Sequence, residues 1–256
     1  MSLQALVWDV DGTLADTEEA HRTAFNQAFA ERNLNWRWGR ETYSELLAVS
    51  GGKERIAYFL QRLSVREAAF ARPLIQDLHA RKTAIYETMV GTGRVRLREG
   101  VARLLTESAQ AGLKLAIATT TTLCNVEALL TANLDKKILA WDVIVAGDAV
   151  PRKKPEPDVY LAVLEQLGLE PSQCLAIEDS RNGLLAASTA QIPCIVTPTE
   201  YTAREQYQGA LAVLDSLGEP DVPCRSITGA SLTHHFVDVA QLRTWSEEYD
   251  QPTTTL

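Results

Sequence analysis

The chain of 256 residues lacks most of the features that would tie a protein to a membrane, a polymer or a disulfide scaffold. It has four cysteines, Cys124, Cys174, Cys194 and Cys224, with no CxxC pair and no histidine at metal-ligand spacing. A disulfide framework is therefore not expected in a chain with this much apolar content, and a reducing compartment is. No stretch approaches the ~18 continuous apolar residues of a membrane span, and residues 1–4 lack a charged segment leading into an apolar one. A cytoplasmic location without a membrane partner is expected. Lysine and arginine total 25 against 33 acidic residues, a net charge of −8 without a sustained basic stripe, so nucleic acid is not an expected partner. Internal repeats and low-complexity tracts are missing too. What remains is a chain that is 46% hydrophobic and long enough to bury a sizeable core, as one large domain or a domain with an insertion. A monomer acting on a small molecule is expected.

Short apolar runs at 5–8, 113–118, 143–146, 174–177, 194–196 and 210–214 have the length of buried strands, although periodicity alone also admits short buried helices. Amphipathic helical patterns separate them, for example at 101–111 and 158–167. This alternation predicts an α/β fold, a doubly wound parallel sheet with helices on both faces. In such sheets a ligand lies at the carboxyl ends of the strands. Residues 15–94 behave differently. Ala20, Ala24, Phe25, Ala28 and Phe29 make one helical stripe, and Ile56, Phe59, Leu60 and Leu63 make another, with no convincing strand among them. The segment reads as a helical insertion after the first strand, with Gly91-Thr92-Gly93 as a return hinge. The expected organisation is a core of 1–14 and 95–217, an insertion of 15–94, and an extension of 218–256 with no assigned role. Its tip, 250–256, is expected to be disordered.

The most informative segment is Asp9-Val10-Asp11-Gly12-Thr13-Leu14, directly after the first run. Residues two apart on an extended chain point the same way, so both carboxylates can face one site, and Gly12 lets the chain turn sharply after them. One carboxylate can serve as a nucleophile near a cation while the other carries a proton to a leaving oxygen. A plain surface turn would also use Asp and Gly. Chance would supply Asp-x-Asp-Gly-Thr about once in several hundred chains of this length, which favours the chemical reading. Thr119 closes the second run and offers a hydroxyl and backbone N–H groups to an oxyanion, while a run of four threonines fits β-propensity equally well. Lys154 belongs either to a solvated basic loop or, held extended before Pro155, to a phosphate site. Glu178-Asp179 either caps a helix or, with Asp9, supplies the carboxylates that a hard cation such as magnesium takes. Four polar signals at the ends of four runs shift the weight toward a site.

That order resembles the haloacid dehalogenase superfamily over about residues 5–217. The resemblance implies a Rossmann-like core with a helical cap inserted after the first strand. It also implies that Asp9 attacks phosphorus and becomes an aspartyl-phosphate. Asp11 would protonate the leaving sugar oxygen and then activate water, its backbone carbonyl binding the metal. Thr119 and Lys154 would hold the phosphoryl group, and Asp179, with Glu178 beside it, would complete a magnesium site. Asp16-Thr17-Glu18-Glu19-Ala20-His21-Arg22-Thr23-Ala24-Phe25-Asn26 and Ser50-Gly51-Gly52-Lys53-Glu54-Arg55-Ile56 look like the CbbY branch of the superfamily, as do residues 118–121 and 178–183. That branch resembles phosphatases of xylulose 1,5-bisphosphate, an inhibitor of the carbon-fixing enzyme Rubisco. A bisphosphate needs a second positive pocket. Gly52, Lys53 and Arg55 offer one, although they also read as an ordinary helix start with exposed cations. Asp16, His21, Tyr43 and Thr120 are further candidates for substrate contacts, and His21 fits an ordinary helix position as well. Open alternatives are a phosphomutase resembling β-phosphoglucomutase, a phosphoglycolate phosphatase, and a non-catalytic phosphate-sensing protein. The intact acid/base carboxylate of Asp11 disfavours the last.

Overall fold

All four side chains of β1 (Ala5–Trp8) are buried, which requires cover on both faces of the sheet. Alternate residues go to opposite faces: Leu6 and Trp8 join one core, Ala5 and Val7 another. The same division holds in β2 (Lys114–Ala118) and β4 (Cys174–Glu178), where Leu115, Ile117, Leu175 and Ile177 face the first core and Ala116, Ala118 and Ala176 the second. The computed structural model, which describes residues 2–93, 95–134 and 140–249, completes the sheet with β3 (Val143–Val145), β5 (Cys194–Val196), β6 (Ala212–Leu214) and β7 (Ser226–Gly229). The strand order is β3-β2-β1-β4-β5-β6-β7, parallel throughout except for β7. The chain winds outward from β1 through β2 to β3, then returns to β4 on the other side of β1. The switch point of the sheet therefore lies at the end of β1, where Asp9 sits.

α6 (Val101–Gln110), α7 (Leu123–Asn133) and α10 (Val239–Tyr249) bury apolar residues in the first core, and α8 (Asp158–Leu167) and α9 (Arg181–Thr189) in the second. Between β1 and β2 come α1 (Glu18–Glu31), α2 (Arg40–Leu46), α3 (Gly52–Leu60), α4 (Val65–Ala71) and α5 (Ile75–Gly91). These helices share a third core built on Phe25, Phe29, Trp38, Tyr43, Ile56 and Leu78. The outgoing and returning crossings pair with each other, Ala15 with Leu97, and the Arg98 N–H donates to the Leu14 carbonyl at 2.9 Å.

The segment after Leu217, to which the sequence reading assigns no role, extends the sheet. β7 runs antiparallel to β6, and α10 packs on α6 with Leu242 and Trp245 buried. The strand escapes pattern reading because it lies at an edge with every residue exposed, so no apolar run marks it. The expectation for 250–256 falls outside the described residues. Among the described residues no helix is long and apolar enough to cross a membrane, and the four cysteines are free thiols.

Candidate active site

Asp9 follows β1, Thr119 follows β2 and Asp179 follows β4, so three neighbouring strands deliver these groups to one edge. The Asp9 N–H still bonds the Ile177 carbonyl of β4, at 3.0 Å. The chain then turns: the N–H groups of Thr13 and Leu14 both donate to the Val10 carbonyl. Gly12 makes this possible, with φ at +84° and no room for a Cβ beside the Asp179 carboxylate. Lys154 reaches the same point from the loop before α8. Its ammonium donates to Asp9 Oδ1 at 2.7 Å, the Ala118 carbonyl at 2.8 Å and Glu178 Oε1 at 2.5 Å. All three of its donor positions are thereby used. The Tyr160 hydroxyl also donates to Glu178 Oε1, at 2.5 Å, which fixes that carboxylate from behind. Thr119 arrives as expected, with one difference: its backbone N–H is spent on the Val145 carbonyl, while its hydroxyl oxygen accepts from the Thr121 N–H.

Oxygens of Asp9, Glu178 and Asp179 lie within 4.8 Å of one another, all buried. Glu178 Oε2 is buried with no hydrogen-bond partner. Burial pushes the Asp9 carboxyl up to about 7, with Glu178 adding to the rise and Lys154 opposing it. Burial, then Asp9 and Glu178, drive Asp179 well above the ordinary carboxylate range. The cluster is thus short of positive charge even with Lys154 in place. An oxygen-only, carboxylate-rich set with an unpartnered oxygen fits a hard divalent cation such as magnesium.

The Asp11 side chain stands apart from that cluster. Its Oδ1 accepts from the Thr17 hydroxyl at 2.7 Å and from His21 Nε2 at 2.8 Å. Burial alone would raise this carboxyl, but His21, Thr17 and Lys82 outweigh burial and hold it well below the ordinary range. The His21 ring stacks on Tyr86 with centroids 4.0 Å apart, so the acid/base candidate is held by α1 and α5 rather than by the sheet.

Gly52, Lys53 and Arg55 from the start of α3 line the same cavity, together with Thr120 and His21. The sequence-derived candidates therefore meet in one space, with three exceptions. Tyr43 is fully buried behind the wall: its hydroxyl donates to Glu18 Oε2 at 2.7 Å and accepts from Arg55 Nη1 at 3.0 Å. Asp16 is exposed just before the first helical turn and does not line the cavity, whereas Glu18 does. Glu178 lies beneath the cavity floor, within the carboxylate cluster.

A sequence model of the haloacid dehalogenase-like hydrolases matches residues 3–191. The chain belongs to that family. It is 50% identical over 247 residues to the plasmid protein CbbY of Cupriavidus necator, covering 95% of this chain and 96% of the relative. Protein CbbY of Cereibacter sphaeroides is 47% identical over 218 residues, 85% of this chain and 94% of that one. A solved structure of a CbbY mutant from Rhodobacter sphaeroides in complex with xylulose 1,5-bisphosphate matches with a TM-score of 0.78 at 44% identity, covering 86% of this chain and 96% of that one. This haloacid dehalogenase-like hydrolase is an enzyme, a phosphatase.

Three residues lining the hydrolase cavity escape the sequence reading: Glu18, His79 and Lys82. Glu18 and His21 are three apart on α1, and His79 and Lys82 three apart on α5, so each pair shares a helix face. That spacing was the available signal, but it looks the same on a solvated face. Lys82 is buried, with its ammonium 5.1 Å from the ring centroids of both Phe25 and Tyr86. Burial brings it down to about 8, against the pull of Asp11. The His79 ring stands where a side chain on Gly52 would go.

Proposed function

We propose that this phosphatase hydrolyses xylulose 1,5-bisphosphate through an aspartyl-phosphate on Asp9, with magnesium held by Asp9, Asp179, Glu178 and the Asp11 backbone carbonyl. The reading rests on one observation: a single cavity is lined by Asp9 and Lys154 and also by a second set of cations, Lys53 and Arg55. A ligand carrying two phosphates can meet both sets of cations, whereas a monophosphate meets one. Magnesium, when bound, neutralises charge on the reacting phosphate and lowers the proton affinity of the carboxylates around it.

The chain's own groups supply the rest. Asp9 forms a bond to phosphorus as the ester oxygen leaves, and Asp11 gives that oxygen a proton, which it takes up as the negative charge of the entering substrate opposes the pull of His21, Thr17 and Lys82. Asp11 then takes a proton from the water that cleaves the acyl phosphate, restoring both carboxyls. Lys154, already saturated by fixed acceptors, stays charged beside the reaction because Asp9 and Glu178 outweigh the effect of its burial. Thr17 and His21 hold Asp11, so the acid/base group is aimed by the helix that also carries Glu18. Binding energy at Lys53 and Arg55 orients the reacting phosphate at Asp9. We place the reaction in the cytoplasm of a carbon-fixing host, where it removes an inhibitor of Rubisco.

The test is phosphate release with magnesium from xylulose 1,5-bisphosphate beside ribulose 1,5-bisphosphate, phosphoglycolate and β-glucose 1-phosphate. A strong preference for the xylulose compound, abolished by Asp9→Asn, is expected. Faster turnover of phosphoglycolate, or net isomerisation of the glucose phosphate, would overturn the substrate assignment.

A further inference from the structure

The loop that follows β5, residues 197–207, is anchored at both ends and touches both parts of the site. Arg98, on the returning crossing, donates to the carbonyls of Thr197 at 2.5 Å and Pro198 at 2.9 Å, and also to the Gly12 carbonyl. At the other end the Tyr207 hydroxyl lies 2.7 Å from the Thr202 carbonyl and 3.0 Å from the Asp179 carbonyl. Between these anchors the buried Thr202 hydroxyl accepts from the Thr199 N–H at 2.9 Å and lies 3.5 Å from Asp179 Oδ2. The preceding residue, Tyr201, points the other way, into the inserted helices. Its hydroxyl donates to Glu19 Oε2 of α1 at 2.6 Å, and its ring meets Tyr43 edge-on with centroids 5.7 Å apart. The Ser44 hydroxyl of α2 donates to the Tyr201 carbonyl at 3.4 Å. Glu19 is held down to about 2, first by its bond from Arg22 and then by Tyr201, so the acceptor is charged at neutral pH.

We propose that Tyr201 is a latch, a positioning residue that holds the inserted helices over the sheet edge and so sets how well the enzyme engages ligands that reach both Asp9 and Arg55. Tyr201 does not line the cavity, but the ring it braces belongs to Tyr43, whose hydroxyl holds Glu18 and Arg55. A ligand that contacts only Asp9 and Lys154 does not need α3 in place. One that reaches Arg55 does. Loss of the latch lowers the fraction of molecules ready for the longer ligand, and apparent affinity falls by the same fraction. Asn182 of α9 supplies a separate tie, its side-chain amide donating to the Ala48 carbonyl at 3.1 Å, so a Tyr201 variant still folds and still approaches the closed arrangement.

The inference rests on the bisphosphate reading for its choice of ligands. The experiment compares Tyr201→Phe and Tyr201→Ala with the unmodified enzyme on xylulose and ribulose 1,5-bisphosphates and on p-nitrophenyl phosphate. Affinities for bisphosphate and for inorganic phosphate are measured alongside by calorimetry in the Asp9→Asn background. Phenylalanine keeps the ring contact and loses one charge-assisted bond at a half-exposed site, which predicts about a fivefold fall in kcat/KM and affinity for the bisphosphates. Alanine loses both contacts and falls at least about tenfold. Turnover of p-nitrophenyl phosphate and binding of inorganic phosphate stay within about twofold. Equal losses on long and short ligands, or no loss on the long ones, would overturn the latch. Failure of the unmodified enzyme to prefer a bisphosphate would instead overturn the reading beneath it, and the calorimetric ratio of long to short ligand would still report on Tyr201.

Discussion

Replacing the nucleophile by its amide, Asp9→Asn, abolishes turnover in the proposed mechanism, yet the electrostatics of the site predict that it stabilises the metal-free protein. Burial pushes the Asp9 carboxyl from 3.8 up to about 7 in the fold. The unfolded chain keeps an ordinary aspartate. Because the folded value is raised, the favourable contribution is complete below pH 3.8 and is lost as pH rises through about 7. Keeping Asp9 in the fold then costs on the order of 1–2 kcal/mol at pH 5 and ~4 kcal/mol at pH 8, relative to a neutral side chain. Relaxation and water entry around a buried charge reduce such figures, and about half is the working expectation, ~2 kcal/mol at pH 8. In a chain of this size that raises the melting temperature by ~4–8 °C. Asparagine does not orphan the cation, since Lys154 keeps Glu178 and the Ala118 carbonyl. The assay is thermal unfolding in a chelator at pH 5 and pH 8, followed by addition of magnesium. The amide variant should melt higher at pH 8, the gap should shrink at pH 5, and magnesium should raise the unmodified protein more than the variant. A variant that melts lower at pH 8, or a gap that ignores pH, would refute the reasoning.

Gly183 sits inside α9, where alanine ordinarily adds ~0.5–1 kcal/mol. A Cβ there would overlap the Glu178 carboxylate, which Lys154 and Tyr160 hold in place, so Gly183→Ala should lower both the urea midpoint and the magnesium affinity measured by calorimetry. A higher midpoint would mean that Glu178 swings aside freely. Burial lowers the Lys82 ammonium to about 8, so this cavity cation is charged below that pH and loses its charge above it. KM for the bisphosphate should therefore climb as pH passes from 8 to 9, and Lys82→Met should show the high KM already at pH 7 with no climb. A flat KM up to pH 9 in the unmodified enzyme would count against a binding role for Lys82.

The proposed catalytic residues were legible in the sequence because they lie at strand ends. Each apolar run is short, buried and followed at once by the residue that matters: Asp9, Thr119, Asp179. A parallel sheet then gathers those ends on one edge without further instruction. The rest of the cavity was less legible. Lys53 and Arg55 were visible as two cations after two glycines, but Glu18, His79 and Lys82 carry no local mark. Asp16 drew attention as the first residue of the segment that looks like the CbbY branch, although Glu18, not Asp16, lines the cavity. The edge strand β7 was invisible for a related reason, since exposed residues at a sheet margin have no apolar pattern to read.

The sequence by itself determined the kind of sheet, the edge that carries the chemistry and the identities of the acids and the lysine there, because strand periodicity and the residues that break it are short-range properties. Only the tertiary structure decided that the acids the sequence offered to a cation converge in space. It gathered Asp9, Glu178 and Asp179 and turned the Asp11 carboxylate away to Thr17 and His21. It also decided that Tyr201 should meet Glu19 across 182 residues of chain. Contacts of that span arise where helix packs on sheet and loop on helix, and no window of local sequence contains both partners.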